Sequence, residues 1–306
     1  MEIGRPSIDS IRKFALPGYL KLSNRDGYMG AYCIAAVIIR HYLGEDWFDR
    51  NMDPQPFRGG YLKIGQQEFT DSLVRAIRLI ELAELLYNCA FVEGFGDFVN
   101  RVKTEHEVES VVAELRVARI LFHGWVQFRF VVPTGKRGLD HDLEIKIADG
   151  VFAPADTKAK VEGTGLTVET IRNSLETARQ NNLPKDDTGI IFLHVTQEWL
   201  VGTTGMGDPD VKKFEQRLTE VQATLKVAIT NFLRTTKRVV AVVAVAFPMW
   251  DRLQLGMVLG EYKNYGHPKI GEYPISIVYL NDPCVPAPKW VNLFEEGDPS
   301  KYQSIA

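Results

Sequence analysis

Residues 140–160 read DHDLEIKIADGVFAPADTKAK. Apolar and charged side chains alternate over residues 143–147, which is the pattern of a β-strand with two different faces. Asp149-Gly150 is a strong hairpin turn, and residues 151–160 suit the returning strand. The stretch therefore predicts a β-hairpin. Three charged residues on its two strands are candidates for chemistry: Asp142, Asp156 and Lys158.

The length of the hairpin loop decides whether the two acids meet. Side chains alternate along a strand, so a shift of one residue in register moves a side chain to the other face. With a two-residue turn at Asp149-Gly150, Asp142 pairs with Thr157 and lies on the wrong face. With a three-residue loop, or with a bulge near Pro154, Asp142 pairs with Asp156. A shared site for the two acids requires one of these irregularities.

The flanking sequence predicts a mixed α/β sheet with helices on its faces. A capping-box pattern at Thr104 predicts a helix over residues 105–122. Residues 125–132 are strand-like, and Thr167 caps a helix that ends at about Asn182. The remaining predicted elements are strands at 189–196, 239–247 and 275–280 and a helix at 209–236. The order is helix, three strands, helix, strand, helix, strand.

The three charged residues suit metal-dependent hydrolysis. Asp156 and Lys158 are two residues apart on one strand, so they share a face. Magnesium prefers oxygen ligands, and one or two carboxylates with waters and a substrate phosphate suffice. A lysine beside such a site can orient water or neutralise charge on phosphorus. The alternative is a solvated strand face, but core strands covered by helices rarely expose such a trio.

Glu114 is a further candidate acid. At 100° per residue it falls inside the apolar stripe of its predicted helix. A carboxylate buried without a partner is costly, so the position predicts a partner. A metal ion, a metal-bound water or Lys158 would serve. The alternative is an ion pair with an arginine such as Arg116 or Arg119.

These residues resemble the PD-(D/E)XK nuclease superfamily, which has the restriction-endonuclease-like fold. The matching segments are Ala113-Glu114-Leu115, Asp142-Leu143-Glu144-Ile145 and Asp156-Thr157-Lys158. The resemblance covers about residues 104–247 and implies a mixed central sheet with an αβββαβ core. A lone DxK motif is weak, but the upstream acid, the helix glutamate and the element order strengthen it. His141 stands where the family name has a proline, a position at which many members vary.

The resemblance implies roles for four residues. Asp142 and Asp156 would bind Mg²⁺, for which Mn²⁺ can substitute, and Glu114 would be an accessory acid of the metal site. Lys158 would orient the attacking water. Gln180, late in the following helix, resembles a glutamine that some members carry.

Basic residues near the hairpin suggest contacts with substrate phosphates. Lys136 and Arg137 lie in the loop before Asp140, and Lys160 follows the motif on the face of Lys158. These three residues could bind phosphates. A solvated loop is the alternative for the first two. His141 should face away from the acids, as a core histidine or as a residue that supports the site.

Composition and the remaining sequence set the class of protein. Of 306 residues, 45% are hydrophobic and 25% charged, which excludes a disordered chain, a collagen and a disulfide scaffold. Three separated cysteines and no secretory signal pattern predict a cytoplasmic protein. The longest apolar runs are too short to span a bilayer. Residues 1–103 are expected to be a helical packing or dimerisation region, and residues 104–306 a nuclease-like core domain.

The sequence thus predicts an enzyme, a magnesium-dependent nuclease that hydrolyses phosphodiester bonds of DNA. Its partner would be nucleic acid rather than a membrane, and a homodimer is compatible with the helical region. The alternative from another class is a catalytically silent nuclease-like domain that binds nucleic acid or serves in assembly. A third hypothesis is a nuclease acting on RNA.

Overall fold

The computed structural model describes residues 4–21, 27–52, 61–62, 69–104, 108–132, 134–136, 138–160, 163–201, 210–250, 253–268 and 283–284. These residues divide into two compact units, one that ends at Phe91 and one that extends from Val92 to Cys284. The sequence-based boundary after residue 103 falls at the end of the first helix of the second unit. In the described part of the chain, no helix combines the length and the apolar character that crossing a membrane needs.

The first unit is helical where it is described. Its helices are α1 (Ile8–Leu20), α2 (Gly27–Leu43), α3 (Glu45–Met52) and α4 (Phe69–Cys89). Ser7 caps α1, because its hydroxyl accepts the backbone N–H of Ser10. Helix α2 packs against α1, α3 and α4, and most of its apolar residues are buried. This matches the helical pattern that was predicted for the N-terminal region.

The second unit contains a six-stranded mixed sheet with strand order β1-β2-β3-β4-β5-β8. Its first helices and hairpin strands are α5 (Phe95–Thr104), α6 (Val108–His123), β1 (Phe128–Phe130), β2 (Leu143–Ala148) and β3 (Val151–Ala159). Then follow α7 (Val168–Thr177), a π-helix (Ala178–Asn182), β4 (Gly189–Val195), α8 (Gln197–Val201), α9 (Val211–Arg234) and β5 (Val239–Ala246). The last strands are β6 (Met249–Trp250), β7 (Leu253–Leu255), β8 (Met257–Lys263) and β9 (Pro283–Cys284). The predicted mixed α/β sheet is confirmed.

The sheet combines both strand directions. Strands β1, β2 and β3 are antiparallel, β3, β4 and β5 are parallel, and β8 is antiparallel to β5. Strands β4 and β5 are almost wholly buried, as expected for parallel strands covered on both faces. Strands β6, β7 and β9 form a separate small sheet.

Helices cover the two faces of the large sheet. Helices α7 and α9 pack on alternate residues of β4 and β5, among them Ile191 and Val242, in one buried apolar cluster. His194 lies on the other face of β4 by alternation, and Arg116 of α6 contacts it, with 2.8 Å between Nη1 and Nε2. Helix α6 therefore lies on the face opposite α7 and α9, so the sheet is sandwiched between them.

The hairpin contains a shift in strand register, which is needed to place Asp142 opposite Asp156. Ala148 pairs with Val151, so the turn is two residues long, and Gly150 has a φ of 73°, which favours glycine. The register then shifts between Lys146 and Ala148, which leaves Ile147 as an extra residue on β2. The predicted three-residue loop is wrong, and the bulge lies on the first strand rather than near Pro154. The resulting register is nevertheless the one that brings the acids together.

Some element boundaries differ from the prediction. Strand β1 is only three residues long, and Trp125 precedes it in a left-handed conformation with a φ of 56°. Thr104 is the last residue of α5 rather than the cap of α6. Helix α9 is capped by Asp210, whose carboxylate accepts the N–H of Lys213. The predicted strand at 275–280 and the predicted helix start at 208–209 lie outside the described residues.

Gly189 allows a close approach of the chain at the start of β4. A Cβ atom there would lie 2.8 Å from the carbonyl oxygen of Pro154 and 2.6 Å from Cδ2 of Leu183, just after the π-helix. Gly189→Ala should therefore force these segments apart and lower the free energy of unfolding by about 1–3 kcal/mol. Denaturant unfolding measures the change. The control is Gly165→Ala, since no atom lies within 4 Å of a Cβ there; equal losses in both variants would contradict the close approach.

Candidate active site

The hairpin register places Asp142 at the level of Asp156. Leu143 pairs with Ala155, and Asp142 is one residue further along. The backbone N–H of Asp142 donates to the carbonyl of Ala155 over 3.1 Å. Oδ2 of Asp142 accepts the backbone N–H of Thr157 over 2.6 Å. The Asp142 side chain is therefore fixed against β3, beside the next acid.

Lys158 completes the trio from β3. Its Nζ lies 2.9 Å from Oδ2 of Asp156, which is an ion-pair distance, although that oxygen does not accept a hydrogen bond of good geometry. Burial opposes the charged form of Lys158, but the carboxylates of Asp156 and Asp142 outweigh it and raise the pKa. Lys158 is therefore a cation at neutral pH. The predicted convergence of these three residues is found.

Glu114 is buried on α6 and is engaged by an arginine. Its side chain forms an ion pair with Arg101 of α5 through two contacts, one of them 3.1 Å between Nη1 and Oε1. An arginine partner was the alternative expectation for this acid, although Arg116 and Arg119 were the residues named. Glu114 also lies close enough to Asp142 for its charge to affect that carboxyl group.

The surroundings of Asp142 and Asp156 disfavour the ionised form of each carboxyl group. Burial raises the pKa of Asp142 well above its usual value, and the charges of Glu114 and Asp156 raise it further. Burial also raises the pKa of Asp156, although Lys158 and Asn182 oppose this effect. One lysine thus faces the fully buried Asp156 and the half-buried Asp142, with a third acid nearby, so a bound cation would stabilise the ionised state.

The oxygen atoms of this cluster fit a hard divalent cation. Oδ2 of Asp156 is buried, and among the described residues its polar contact is the ion pair with Lys158, which leaves acceptor capacity on this oxygen. Mg²⁺ is bound in many proteins by one or two carboxylates, with water and substrate completing its shell. Within the described ranges, no group of three or more His, Cys, Asp or Glu side chains is arranged to hold a metal ion. The fitting protein ligands are therefore two, Asp142 and Asp156.

Asn182 is the contact that the sequence analysis missed. Its Nδ2 donates to Oδ1 of Asp156 over 2.7 Å. Asn182 is the last residue of the π-helix, a form that is rare and frequent at functional sites. Gln180, which was singled out instead, is exposed, and its amide lies 3.4 Å from Glu176. Helical spacing alone could not find Asn182, because the wider π-turn changes which residue faces the sheet.

Asn182→Ala should weaken Mn²⁺ binding by roughly 10-fold or more, because Asp156 loses the hydrogen bond that orients its carboxylate. Calorimetric titration of the metal measures this effect. Gln180→Ala is the matched control, since it removes an exposed amide from the same helix. Similar affinities for both variants would contradict an orienting role for Asn182.

The loop before the hairpin docks beside this π-helix. The N–H of Gly138 donates to the carbonyl of Asn181 over 2.5 Å. Asp140 shapes the loop, because its Oδ1 accepts both the N–H and the hydroxyl of Thr134, at 2.7 and 2.8 Å. Lys136 is exposed on this loop, and Arg137 lies outside the described residues.

Lys160 has a different environment from the one expected of a phosphate contact. Its Nζ donates to the carbonyl of Thr170 over 2.8 Å and to the hydroxyl of Ser174, both on α7. Burial lowers its pKa. The described contacts of Lys160 therefore tie β3 to α7 instead of presenting the ammonium group to a ligand.

His141 is buried beside the acids. Its Nε2 lies 3.4 Å from Oε1 of Glu144, and neither ring nitrogen forms a hydrogen bond with the described residues. Burial lowers the pKa of the imidazole, although the charges of Glu144, Asp156 and Asp140 oppose this effect. The charge of Asp156 therefore acts on His141, and the described residues show no direct contact between the two side chains.

No protein-family model, curated protein or solved structure matches this chain significantly. The geometry of the site is therefore the basis for any functional conclusion.

Proposed function

We propose that this protein is a metal-dependent nuclease of the PD-(D/E)XK type that hydrolyses phosphodiester bonds of DNA. One observation carries the proposal: the carboxylates of the half-buried Asp142 and the fully buried Asp156 lie side by side, near the ammonium group of Lys158. A structural role alone does not account for this arrangement, because burying two neighbouring acids with one lysine disfavours folding. A function that needs the acids ionised accounts for it.

Asp142 and Asp156 would hold a magnesium ion, or manganese in its place, and the ion would supply Lewis acidity at the scissile phosphate and to a bound water. The chain prepares its two acids for this role. The Thr157 N–H fixes one oxygen of Asp142, and the Asn182 amide fixes one oxygen of Asp156. Both carboxylates are therefore held in place before a ligand binds.

Lys158 would act on the substrate side of the site. Its raised pKa keeps it protonated, so it cannot serve as a general base at neutral pH. A fixed ammonium group can orient the attacking water through a hydrogen bond and stabilise charge that develops on the phosphoryl oxygens. Glu114, held by Arg101, would act as an accessory acid through its charge near Asp142 rather than as a direct ligand.

A catalytically silent binding or assembly module is the second candidate, and two observations favour it. Glu114 is already neutralised by Arg101, and the described residues contain no three-donor metal cluster. A silent domain would bind nucleic acid without cleaving it. The trio of Asp142, Asp156 and Lys158 favours the enzyme, since such a module has no need of two ionised buried acids.

A cleavage assay tests the proposal directly. Supercoiled plasmid, single-stranded DNA and RNA are incubated with the protein in Mg²⁺, in Mn²⁺ and in EDTA. We expect cleavage of DNA with either ion and none in EDTA, with Asp156→Asn inactive as the matched control. Binding of DNA without cleavage under all conditions would favour the silent module. Cleavage that persists in the Asp156→Asn protein would indicate a contaminating enzyme.

A further inference from the structure

A cleft of about 590 Å³ lies between the helix formed by α7 and the π-helix on one side and α9 on the other. Four of the residues that line it carry side-chain N–H donors. They are Arg172, Asn173, Arg179 and Asn231. Glu176 also lines the cleft, but its carboxylate accepts from the guanidinium of Arg179 and from the amide of Gln180. The free hydrogen-bonding capacity of the wall is therefore suited to an anion.

Arg179 has donor capacity that the described residues do not use. One terminal nitrogen binds Glu176, whereas Nε is buried and has no hydrogen-bond partner in the described part of the chain. Arg238 adds a second positive charge nearby. It donates to the carbonyls of Leu183 and Pro184, and its pKa is lowered by burial and by the charge of Arg179. An oxyanion in the cleft would offset this repulsion.

The cleft is connected to the candidate active site through a single helix. Arg179 lies three residues before Asn182, which donates to Asp156. The loop that carries Lys136 docks on the same turn, through the hydrogen bond from Gly138 to Asn181. Basic groups therefore lie along one helix whose end contacts the carboxylates, which is an arrangement suited to a bound polyanion.

We propose that this cleft binds backbone phosphates of the nucleic acid at a distance from the cleaved bond. Arg172 and Arg179 are two helical turns apart, about 10 Å along the axis. That separation corresponds to about three nucleotide steps of 3.4 Å along one strand. The two guanidinium groups would contact different phosphates of one strand and fix its direction across the site. The inference rests on the proposed nuclease function and adds the course of the substrate.

The test compares DNA binding by the wild type, by Arg172→Gln/Arg179→Gln, and by a control with the same loss of charge. The control is Lys212→Gln/Lys226→Gln, which changes two exposed lysines of α9 outside the cleft. Binding of a fluorescent 20-base-pair duplex is measured in EDTA over a series of salt concentrations. The cleft variant should bind at least about 10-fold more weakly, with a salt slope reduced by about 1–2. The control should retain the wild-type affinity and slope.

Equal affinity and slope for the cleft variant and the wild type would overturn the inference, and so would an equal loss in the control. Inorganic phosphate, titrated by calorimetry, distinguishes the source of the ligand. If the cleft variant loses binding of free phosphate but not of DNA, the cleft serves a small anion and the nucleic-acid contact is refuted. Arg172→Glu, at an exposed position, repeats the test in a protein whose folding is not at risk.

A separate measurement, cleavage of DNA in Mg²⁺, tests the proposed nuclease function. A wild type that cleaves DNA, together with a cleft variant that binds it normally, refutes the cleft and leaves the nuclease intact. A wild type that neither binds nor cleaves DNA refutes both. Reduced binding with residual cleavage at saturating protein supports both.

Discussion

Lys158→Ala is expected to cleave DNA about 10²–10³-fold more slowly than the wild type, a loss of about 3–4 kcal/mol of transition-state stabilisation. The reason is the fixed position of Nζ, 2.9 Å from Asp156, in a buried site where one charge has a large effect. Metal binding should persist, since the ammonium group is not a metal ligand. Single-turnover cleavage at saturating Mg²⁺ measures the rate, and calorimetry measures the affinity for Mn²⁺.

Lys146→Ala is the matched control, because Lys146 lies on the neighbouring strand and pairs with the exposed Asp149, with 3.0 Å between Nζ and Oδ1. It should cleave at the wild-type rate. Lys158→Arg should recover little activity, because the planar guanidinium is larger and cannot replace a compact ammonium group. Wild-type rates in both alanine variants would show that Lys158 is not catalytic.

Asp142→Asn is expected to abolish binding of Mg²⁺ and Mn²⁺ and to make the metal-free protein more stable at neutral pH. Asparagine can still accept the N–H of Thr157, so the local fold should persist. The amide removes a charge that repels Asp156 and Glu114. For a unit of this size, each kcal/mol of relief raises the melting temperature by about 2–4 °C. Thermal unfolding in EDTA, with and without added Mn²⁺, measures both effects.

The stabilisation by Asp142→Asn should grow with pH. Because the pKa of Asp142 is higher in the folded chain than its ordinary value of 3.8, the folded state binds the proton more tightly. This contribution to stability is present below the ordinary value and is lost as the pH rises through the raised pKa. The metal-free wild type should therefore lose stability relative to the variant as the pH rises above 3.8 and through the raised pKa. Added Mn²⁺ should restore the wild type at pH 8, because the ion binds the ionised acids.

Asp149→Asn provides the control for the pH series, since this aspartate is exposed at the hairpin turn. The stability of this variant should change with pH in the same way as that of the wild type. The assignment would be wrong if Asp142→Asn retained metal binding, or if its stability relative to the wild type did not change with pH.

Local sequence patterns were sufficient to predict a mixed sheet and the order of its main elements from α6 to β5, whereas β8, the sixth strand of the sheet, was not predicted. Alternation in residues 143–147 and the Asp149-Gly150 turn reflect short-range physics, and the continuous apolar run at 239–247 reflects burial on both faces. The convergence of Asp142, Asp156 and Lys158 follows from strand geometry once the register is known. The register itself could only be stated as alternatives, because nothing in the sequence marks Ile147 as the extra residue.

The rest of the site depends on contacts between distant segments. Arg101 reaches Glu114 from a preceding helix, so spacing within the helix of Glu114 could not identify it. Asn182 reaches Asp156 through a π-turn, which helical periodicity does not anticipate. Lys160 was assigned by its strand face alone, whereas the packing of α7 determines what its ammonium group contacts.

The extra residue in β2 makes the site sensitive to the number of residues in the hairpin. Deletion of Ile147 would remove the bulge and leave Asp142 opposite Asp156, whereas deletion of Ala153 on the returning strand would keep the turn and the bulge and bring Asp142 opposite Thr157, on the other side of the sheet from Asp156. The hydrogen bonds of the ladder would remain available, so such a chain could retain its sheet while losing its pair of acids. A deletion of one codon on the returning strand should therefore be much more harmful than a substitution there. Length variation among functional descendants of this chain should be confined to segments outside residues 151–156.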